Sequence, residues 1–235
     1  MRLGQQIVVD RLTAEFSLWS ADLTRLGDEI RRTESFADLY HIDVADAHFV
    51  PGLLFFPDLV AALRPLTTRP FHIHLMVSNP AALVDDFVAA GADLITIHAE
   101  LGPIVLSTLQ HIRDAHVSPG LAIRLETPVE RVWPYLEHVD TLVMMGTPLG
   151  VKGQDLSPDA CPRIQTVRAW LGQHLPAHPI RIVADGGIRR HTVPALRAAG
   201  ADSIVPGSLV FGSENLEQTV RWLGSLPGSP PPQMR

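Results

Sequence analysis

Polar side chains are scarce inside the apolar runs of this chain, and those that interrupt them are of types that do chemistry. His41-Ile-Asp43 places an imidazole and a carboxylate at i and i+2, the spacing that puts both on one face of a strand. His72-Ile-His74 repeats the spacing. His98 closes another apolar run just before Glu100, and Ile180-Arg-Ile-Val-Ala-Asp185 ends on a carboxylate followed by Gly186-Gly187. His41, Asp43, His74 and Asp185 together offer two imidazoles and two carboxylates. Such a donor set suits a borderline divalent metal ion: Zn²⁺, Fe²⁺, Mn²⁺ or Co²⁺. Buried Asp and His without partners are costly, so several at one place argue for a shared purpose. His72 is interior by parity with His74 but lies deeper, as a core histidine or a partner behind the ligands.

These residues need elements to bring them together, and the chain supplies a regular alternation. Strand-like apolar runs fall at about 14–19, 38–44, 70–76, 93–98, 119–124, 139–145, 179–184 and 202–206. Each is followed by a helix-like stretch: 21–32, 57–64, 80–90, 103–115, 128–137, 157–173, 190–199 and 213–225. Strands alternating with helices imply βαβ units and a parallel sheet. Ala89-Ala-Gly-Ala-Asp93 recurs as Ala198-Ala-Gly-Ala-Asp202, in each case a helix ending at a glycine just before a strand. Eight units in 235 residues favour a closed α/β barrel over an open doubly wound sheet, and no G-x-G-x-x-G follows the first strand. The expected architecture is a single-domain (β/α)8 TIM barrel over residues 1–226, with a Pro-rich, disordered tail at 227–235.

A barrel of this kind carries its active site at the C-terminal ends of its strands, where all four candidate ligands fall. Gly186-Gly187 and Gly207-Ser208 follow the last two strands, whose loops commonly bind phosphate through backbone N–H groups. Gly150-Val-Lys-Gly-Gln154 adds Gly150, Gly153 and one cation near the same rim.

Composition narrows the partners. The net charge of −6 argues against nucleic acid or an anionic membrane as the main partner, since both call for basic patches. It leaves room for an anionic small substrate, which needs only a local site. The single cysteine, Cys161, excludes an intrachain disulfide framework and a multi-cysteine zinc site, and is expected to be inert. No apolar run reaches the roughly 18 residues of a membrane span. The segment from Met1 to Asp10 lacks the features of a signal peptide, so the cytoplasm is the expected location.

On these residues the chain resembles the ribulose-phosphate 3-epimerase family from about Phe16 to Gly212. The matching segments are Ser17-Leu-Trp-Ser-Ala-Asp22, His41-Ile-Asp-Val-Ala-Asp-Ala-His-Phe-Val-Pro51, His74-Leu-Met76, Gly91-Ala-Asp-Leu-Ile-Thr-Ile-His98, Gly153-Gln154, Asp185-Gly-Gly-Ile188 and Gly207-Ser208 with Phe211-Gly212. The resemblance implies that His41, Asp43, His74 and Asp185 hold one divalent metal ion and that Asp43 and Asp185 are the catalytic acid and base. It implies substrate contacts from Ser17, His74, Met76 and Met145, with phosphate bound at Gly186, Gly187, Gly207 and Ser208. The implied enzyme is a homo-oligomeric isomerase of carbohydrate metabolism, in the pentose phosphate pathway. It would interconvert D-ribulose 5-phosphate and D-xylulose 5-phosphate through an enediolate.

Two departures bear on the substrate. The family usually has Met-Asp-Gly where this chain has Ala45-Asp46-Ala47, and Asn-Pro-Gly-Phe-Gly-Gly-Gln where it has Pro148-Leu-Gly-Val-Lys-Gly-Gln154. A relative acting on a hexulose or tetrulose phosphate would keep the metal set and change this loop. A barrel that binds a sugar phosphate without epimerising it is a third alternative, against which the intact His41, Asp43, His74 and Asp185 weigh. A Schiff-base lyase or synthase is disfavoured, because Lys152, the only lysine, lies in a loop rather than at a strand end.

Overall fold

The structure, a computed structural model, describes residues 11–227. The leader reading of residues 1–10 and nearly all of the tail reading at 227–235 lie outside the described residues. Among the described residues nine strands form one sheet: β1 (Thr13–Ser17), β2 (Leu39–Asp46), β3 (Leu53–Leu54), β4 (Phe71–Met76), β5 (Leu94–His98), β6 (Ser118–Ile123), β7 (Thr141–Met145), β8 (Arg181–Asp185) and β9 (Ser203–Ile204). The order is β1-β9-β8-β7-β6-β5-β4-β2-β3, and β1 also pairs with β2. That extra pairing closes eight parallel strands into a barrel, with β3 as a short antiparallel addition to β2. The expected (β/α)8 barrel is therefore the fold, and it forms one domain. Among the described residues no helix is long and apolar enough to cross a membrane.

The helices are α1 (Leu26–Thr33), α2 (Pro57–Leu63), α3 (Val84–Ala89), α4 (Val105–Asp114), α5 (Ala160–His174), α6 (Val193–Ala199), α7 (Ser208–Phe211) and α8 (Leu216–Gly224). One expected helical stretch differs in kind. The sequence pattern predicts the fifth helix over residues 128–137, but Val129–His138 is a 3-10 helix. Pro134 lies inside it, and a proline there removes an N–H and clashes with the preceding turn of an α-helix. The stretches at 80–90 and 103–115 each begin with a separate 3-10 segment, the second kinked at Gly102 with φ 66°.

Strand alternation divides the side chains into two sets. Phe16, Tyr40, Ile42, Ile73, Leu75, Ile95, Ile97, Leu142, Ile182 and Ile204 face outward, into the main core shared with the helices. Inward, β6 to β9 contribute the apolar cluster of Ala122, Val143, Met145, Val183 and Val205. The inward positions of β1, β2, β4 and β5 are instead polar and buried: Glu15, Ser17, His41, Asp43, His72, His74, Thr96 and His98. Register aligns them, with Ser17 opposite His41, Asp43 opposite His74, and Met145 opposite Asp185.

The repeated Ala-Ala-Gly-Ala-Asp marks a construction unit. Gly91 and Gly200 end their helices with φ of 94° and 113°. A Cβ at Gly91 would lie 2.6 Å from the Arg64 side chain, and one at Gly200 would lie 3.2 Å from that of Arg168. Each arginine donates to the carbonyl of its glycine and to the aspartate of the repeat, Asp93 or Asp202. Each aspartate also accepts the N–H of a residue in the neighbouring strand, Phe71 or Ile182, at 2.8 and 2.9 Å. The unit pins the N-terminal ends of adjacent strands, at the barrel end opposite the candidate site.

One close approach inside the barrel gives a test. Gly120 lies opposite Thr96, and a Cβ there would stand 2.0 Å from Thr96 Oγ1. Gly120→Ala is expected to lower the unfolding free energy by about 1–3 kcal/mol, the usual range for overpacking, as measured by urea denaturation. Unchanged stability would mean that β5 and β6 can separate there at no cost.

Candidate metal centre and active site

The four candidate ligands meet at the C-terminal mouth of the barrel. His41 and Asp43 come from β2, His74 from β4 and Asp185 from the end of β8. One ligand atom from each lies within 4.8 Å of all the others. His41 Nε2 is 3.4 Å from His74 Nδ1, and each of these nitrogens is 3.3 Å from Asp43 Oδ1. Asp185 Oδ2 stands 3.8 Å from His41 Nε2 and 3.7 Å from His74 Nδ1. Tetrahedral ligand bonds of about 2.0–2.2 Å separate donor atoms by roughly 3.3–3.6 Å. The separations among His41, His74 and Asp43 fall in that range, and those to Asp185 exceed it by 0.1–0.2 Å.

The proton arrangement points the same way. His41 Nδ1 faces Glu15 Oε2 at 3.3 Å, so this nitrogen is the one that carries a hydrogen. His74 Nε2 faces His98 Nε2 at 2.9 Å, and His98 Nδ1 faces Glu100 Oε2 at 3.1 Å. Glu100 Oε1 in turn accepts the Arg124 N–H at 2.9 Å. With those far sides engaged, His41 Nε2 and His74 Nδ1 turn toward one point shared with the two carboxylates. The residues present fit a divalent cation, with ligand nitrogens whose far sides end on carboxylates.

The carboxyls of the quartet are driven apart. Burial works against ionising Asp43, but the His41 and His74 rings outweigh it and hold its carboxyl well below the usual range. Asp185 is pushed up to about 7, mainly by burial, with His41 opposing and the charges of Asp43 and Glu15 adding to the rise. His41 is opposed by burial as well, yet Asp43 and Glu15 raise its pKa well above the ordinary histidine value. His72 and His98 are both lowered to about 4, chiefly by burial, and so stay neutral at pH 7.

Above the quartet is a cleft of about 230 Å³. Ser17, Asp43, Met76, Met145, Gly150, Gly153, Asp185, Gly186, Gly187, Gly207 and Ser208 all line it. Of the residues singled out in the sequence, His41 and His74 do not; both are fully buried beneath it. Ser17 Oγ donates to Asp43 Oδ2 at 3.1 Å. Met76 packs with Ala45, Val50 and Leu149, and Leu149 also packs against the cluster that holds Met145. Leu149 thus adds apolar surface on the wall where Ala45 stands in place of methionine. Ala47, also at a family glycine position, has φ 60°, and Asp46 holds this turn by accepting the N–H groups of His48 and Phe49.

The rim glycines are required by close approach. A Cβ at Gly187 would lie 2.6 Å from Leu156 Cα, and one at Gly207 would lie 2.2 Å from Ser20 Oγ. Lys152 Nζ donates to the Trp19 carbonyl at 2.5 Å and sits 4.8 Å from the centre of the Trp19 ring. Arg189 also lines the cleft. Cys161 is half-buried outside the site, and burial raises its thiol pKa, in keeping with inertness.

Sequence reasoning missed Glu15 and Arg181, which lie below the quartet. Parity could have found both, because Glu15 is two residues before Ser17 and Arg181 is four before Asp185, on the same inward faces.

Comparison with known proteins gives concordant matches. The model described as the ribulose-phosphate 3 epimerase family matches residues 13–211. The chain is 40% identical over 196 residues to the ribulose-phosphate 3-epimerase of Rhodobacter capsulatus, covering 83% of this chain and 84% of that protein. It is 34% identical over 205 residues to the ribulose-phosphate 3-epimerase of Bacillus subtilis, covering 87% and 94%. Among solved structures, 3-hexulose-6-phosphate synthase from Salmonella typhimurium superposes with a TM-score of 0.67 at 14% identity, covering 92% of this chain and 98% of that one. The 3-keto-L-gulonate-6-phosphate decarboxylase of Vibrio cholerae gives 0.67 at 16% identity, covering 91% and 95%. Those two likenesses are of fold alone.

Deleting one nitrogen from the quartet tests its role. His74→Ala is expected to weaken Co²⁺ or Zn²⁺ binding by at least about tenfold, read by competition with a chromophoric chelator. Undiminished affinity in that variant would place the cation elsewhere.

Proposed function

The chain belongs to the ribulose-phosphate 3-epimerase family, and from that premise we propose that it interconverts D-ribulose 5-phosphate and D-xylulose 5-phosphate by proton transfer between Asp43 and Asp185. The observation that carries this reading is the placement of the two carboxylates. Asp43 is on β2 and Asp185 on β8, three strand steps apart around eight through β1 and β9. They therefore enter the cleft from nearly opposite walls, which allows each to address a different face of a bound carbon.

Epimerisation at C3 needs a base on one face and an acid on the other. One carboxylate removes the C3 proton, and the C–H electrons form the C2–C3 double bond of an enediolate. The other carboxyl delivers a proton to C3 on the opposite face, inverting its configuration. Without a cation the two carboxyls differ in proton affinity, Asp43 being held ionised by the imidazoles beside it and Asp185 pushed up to about 7 by burial and the charges of Asp43 and Glu15. A divalent cation (Zn, Fe, Mn or Co) held by His41, Asp43, His74 and Asp185 would supply positive charge to offset the negative charge developing on the substrate oxygens.

The remaining residues bind and enclose the sugar phosphate. Backbone N–H groups at Gly186, Gly187, Gly207 and Ser208 are suited to the phosphate, with Lys152 and Arg189 bringing cations to the same cleft. Met76, Met145 and Leu149 give an apolar surface over the reacting carbon, which excludes water from the enediolate. Gly150 and Gly153, with φ of 77° and 79°, shape the loop that covers it. Ser17 holds Asp43 in place through its hydroxyl. We further expect a cytoplasmic homo-oligomer, on family membership alone, with light scattering as the measure of assembly.

Turnover of D-ribulose 5-phosphate by metal-reconstituted protein in D₂O is expected to give xylulose 5-phosphate with deuterium at C3. No product from a folded, metal-loaded sample would shift the substrate to a hexulose or tetrulose phosphate, through the altered 148–154 loop. Asp43→Asn should lower turnover by at least about a hundredfold, compared at equal metal content. Near-normal turnover would remove Asp43 from the proton transfer.

A further inference from the structure

Below the quartet lies a second polar cluster that the proton transfer does not use. Glu15 is fully buried on β1. Its Oε2 is 2.5 Å from His72 Nδ1 and 3.3 Å from His41 Nδ1. Its Oε1 accepts the Ser203 hydroxyl at 2.9 Å and pairs with Arg181 Nη2 at 3.0 Å. His72 Nε2 is 2.7 Å from Thr96 Oγ1, which satisfies the far side of that ring. A carboxylate and a guanidinium this deep are costly to desolvate, and the barrel closes without them on its apolar side, where Val143 and Val183 fill inward positions.

The chemistry of an ionised carboxylate restricts the rings that face it. It has no proton to give, so each imidazole nitrogen turned toward it must be the protonated one. His41 Nδ1 therefore carries a hydrogen, and a cation bound among Asp43, His74 and Asp185 would take the place of a proton at Nε2 and meet its lone pair. Nε2 is the atom that stands 3.3 Å from Asp43 Oδ1 and 3.8 Å from Asp185 Oδ2. Arg181 supplies the counter-charge from β8, the strand that also carries Asp185 four residues on. One strand therefore brings a candidate ligand to the mouth and the anchor of another ligand's partner to the floor.

We propose that Glu15, held by Arg181 and Ser203, is a positioning residue of the metal centre that fixes His41 in the tautomer whose Nε2 faces Asp43, His74 and Asp185. This rests on the reading of that quartet as a metal site. In this role Glu15 acts through His41 rather than on substrate or cation. It sets the orientation and basicity of one ligand nitrogen, as outer carboxylates do for metal-bound histidines.

The test compares the wild-type chain with the double variant Glu15→Gln/Arg181→Met, which removes both charges and leaves no guanidinium stranded. Both are reconstituted with Co²⁺, whose visible absorption reports ligand geometry, and affinity is read by chelator competition. The double variant is expected to bind Co²⁺ about 10–100-fold more weakly, with an altered spectrum. Equal affinity and an unchanged spectrum would overturn the role of Glu15 while leaving the quartet standing. A wild-type chain that takes up no metal would instead overturn the reading of the quartet, and this role with it. Should the double variant not fold, the wild type decides the matter. In ¹⁵N-histidine NMR of the Zn²⁺-loaded chain, with the His41 ring assigned by its loss in His41→Gln, Nδ1 is expected to be protonated and Nε2 proton-free. The opposite tautomer would sink the proposal.

Discussion

An imidazole shut away from water must have its N–H met by an acceptor, and in this barrel the acceptors are buried carboxylates. His41 and His72 both reach Glu15. His74 reaches Glu100 through His98. Leaving any of these nitrogens unpaired in a dry interior would cost roughly 1–3 kcal/mol, more beside a charge, so the pairings constrain which nitrogen of each ring is free. The free nitrogens of His41 and His74 turn toward one point, and the carboxylates of Asp43 and Asp185 reach the same point. The functional site is in this sense the consequence of how the barrel floor and wall satisfy their hydrogen bonds.

The barrel interior is divided to make this affordable in structural terms. Strands β1, β2, β4 and β5 turn polar side chains inward, while β6 to β9 place the apolar cluster that includes Ala122, Val143, Val183 and Val205 there. The apolar half keeps water out and lowers the local dielectric, which strengthens every charge interaction in the polar half. The same dryness accounts for the divergence of the two mouth carboxyls: Asp43 has two imidazoles at hydrogen-bonding range, whereas Asp185 has weaker partners and so is dominated by burial.

Backbone approach governs the rim. Gly187 admits Leu156, Gly186 admits Thr147 and Gly207 admits Ser20, in each case at distances where a Cβ would collide. These contacts hold the loop after β8 against the loop after β7, and the loop after β9 against the loop after β1. The loop after β7 carries Leu149 inward and Lys152 onto Trp19, and both residues fall in the segment that departs from the family pattern.

Much of this was legible in the sequence because it depends on spacing. The i, i+2 pairs fixed which residues share a strand face, eight alternating units implied closure, and Asp185-Gly-Gly marked the mouth. The echo of Ala-Ala-Gly-Ala-Asp was legible as helix-ending chemistry, though not that its aspartates clamp neighbouring strands. The 3-10 character of 129–138 has a sequence signal in Pro134, which apolar periodicity alone does not register. What only the tertiary structure decided is the pairing across strands distant in sequence. Glu15 meets His72 across 57 residues and Ser203 across 188. No local rule predicts such partners, because they follow from the pairing of β1 with both β2 and β9 that closes the barrel and from the register it imposes, and these in turn set which residue each ring nitrogen faces.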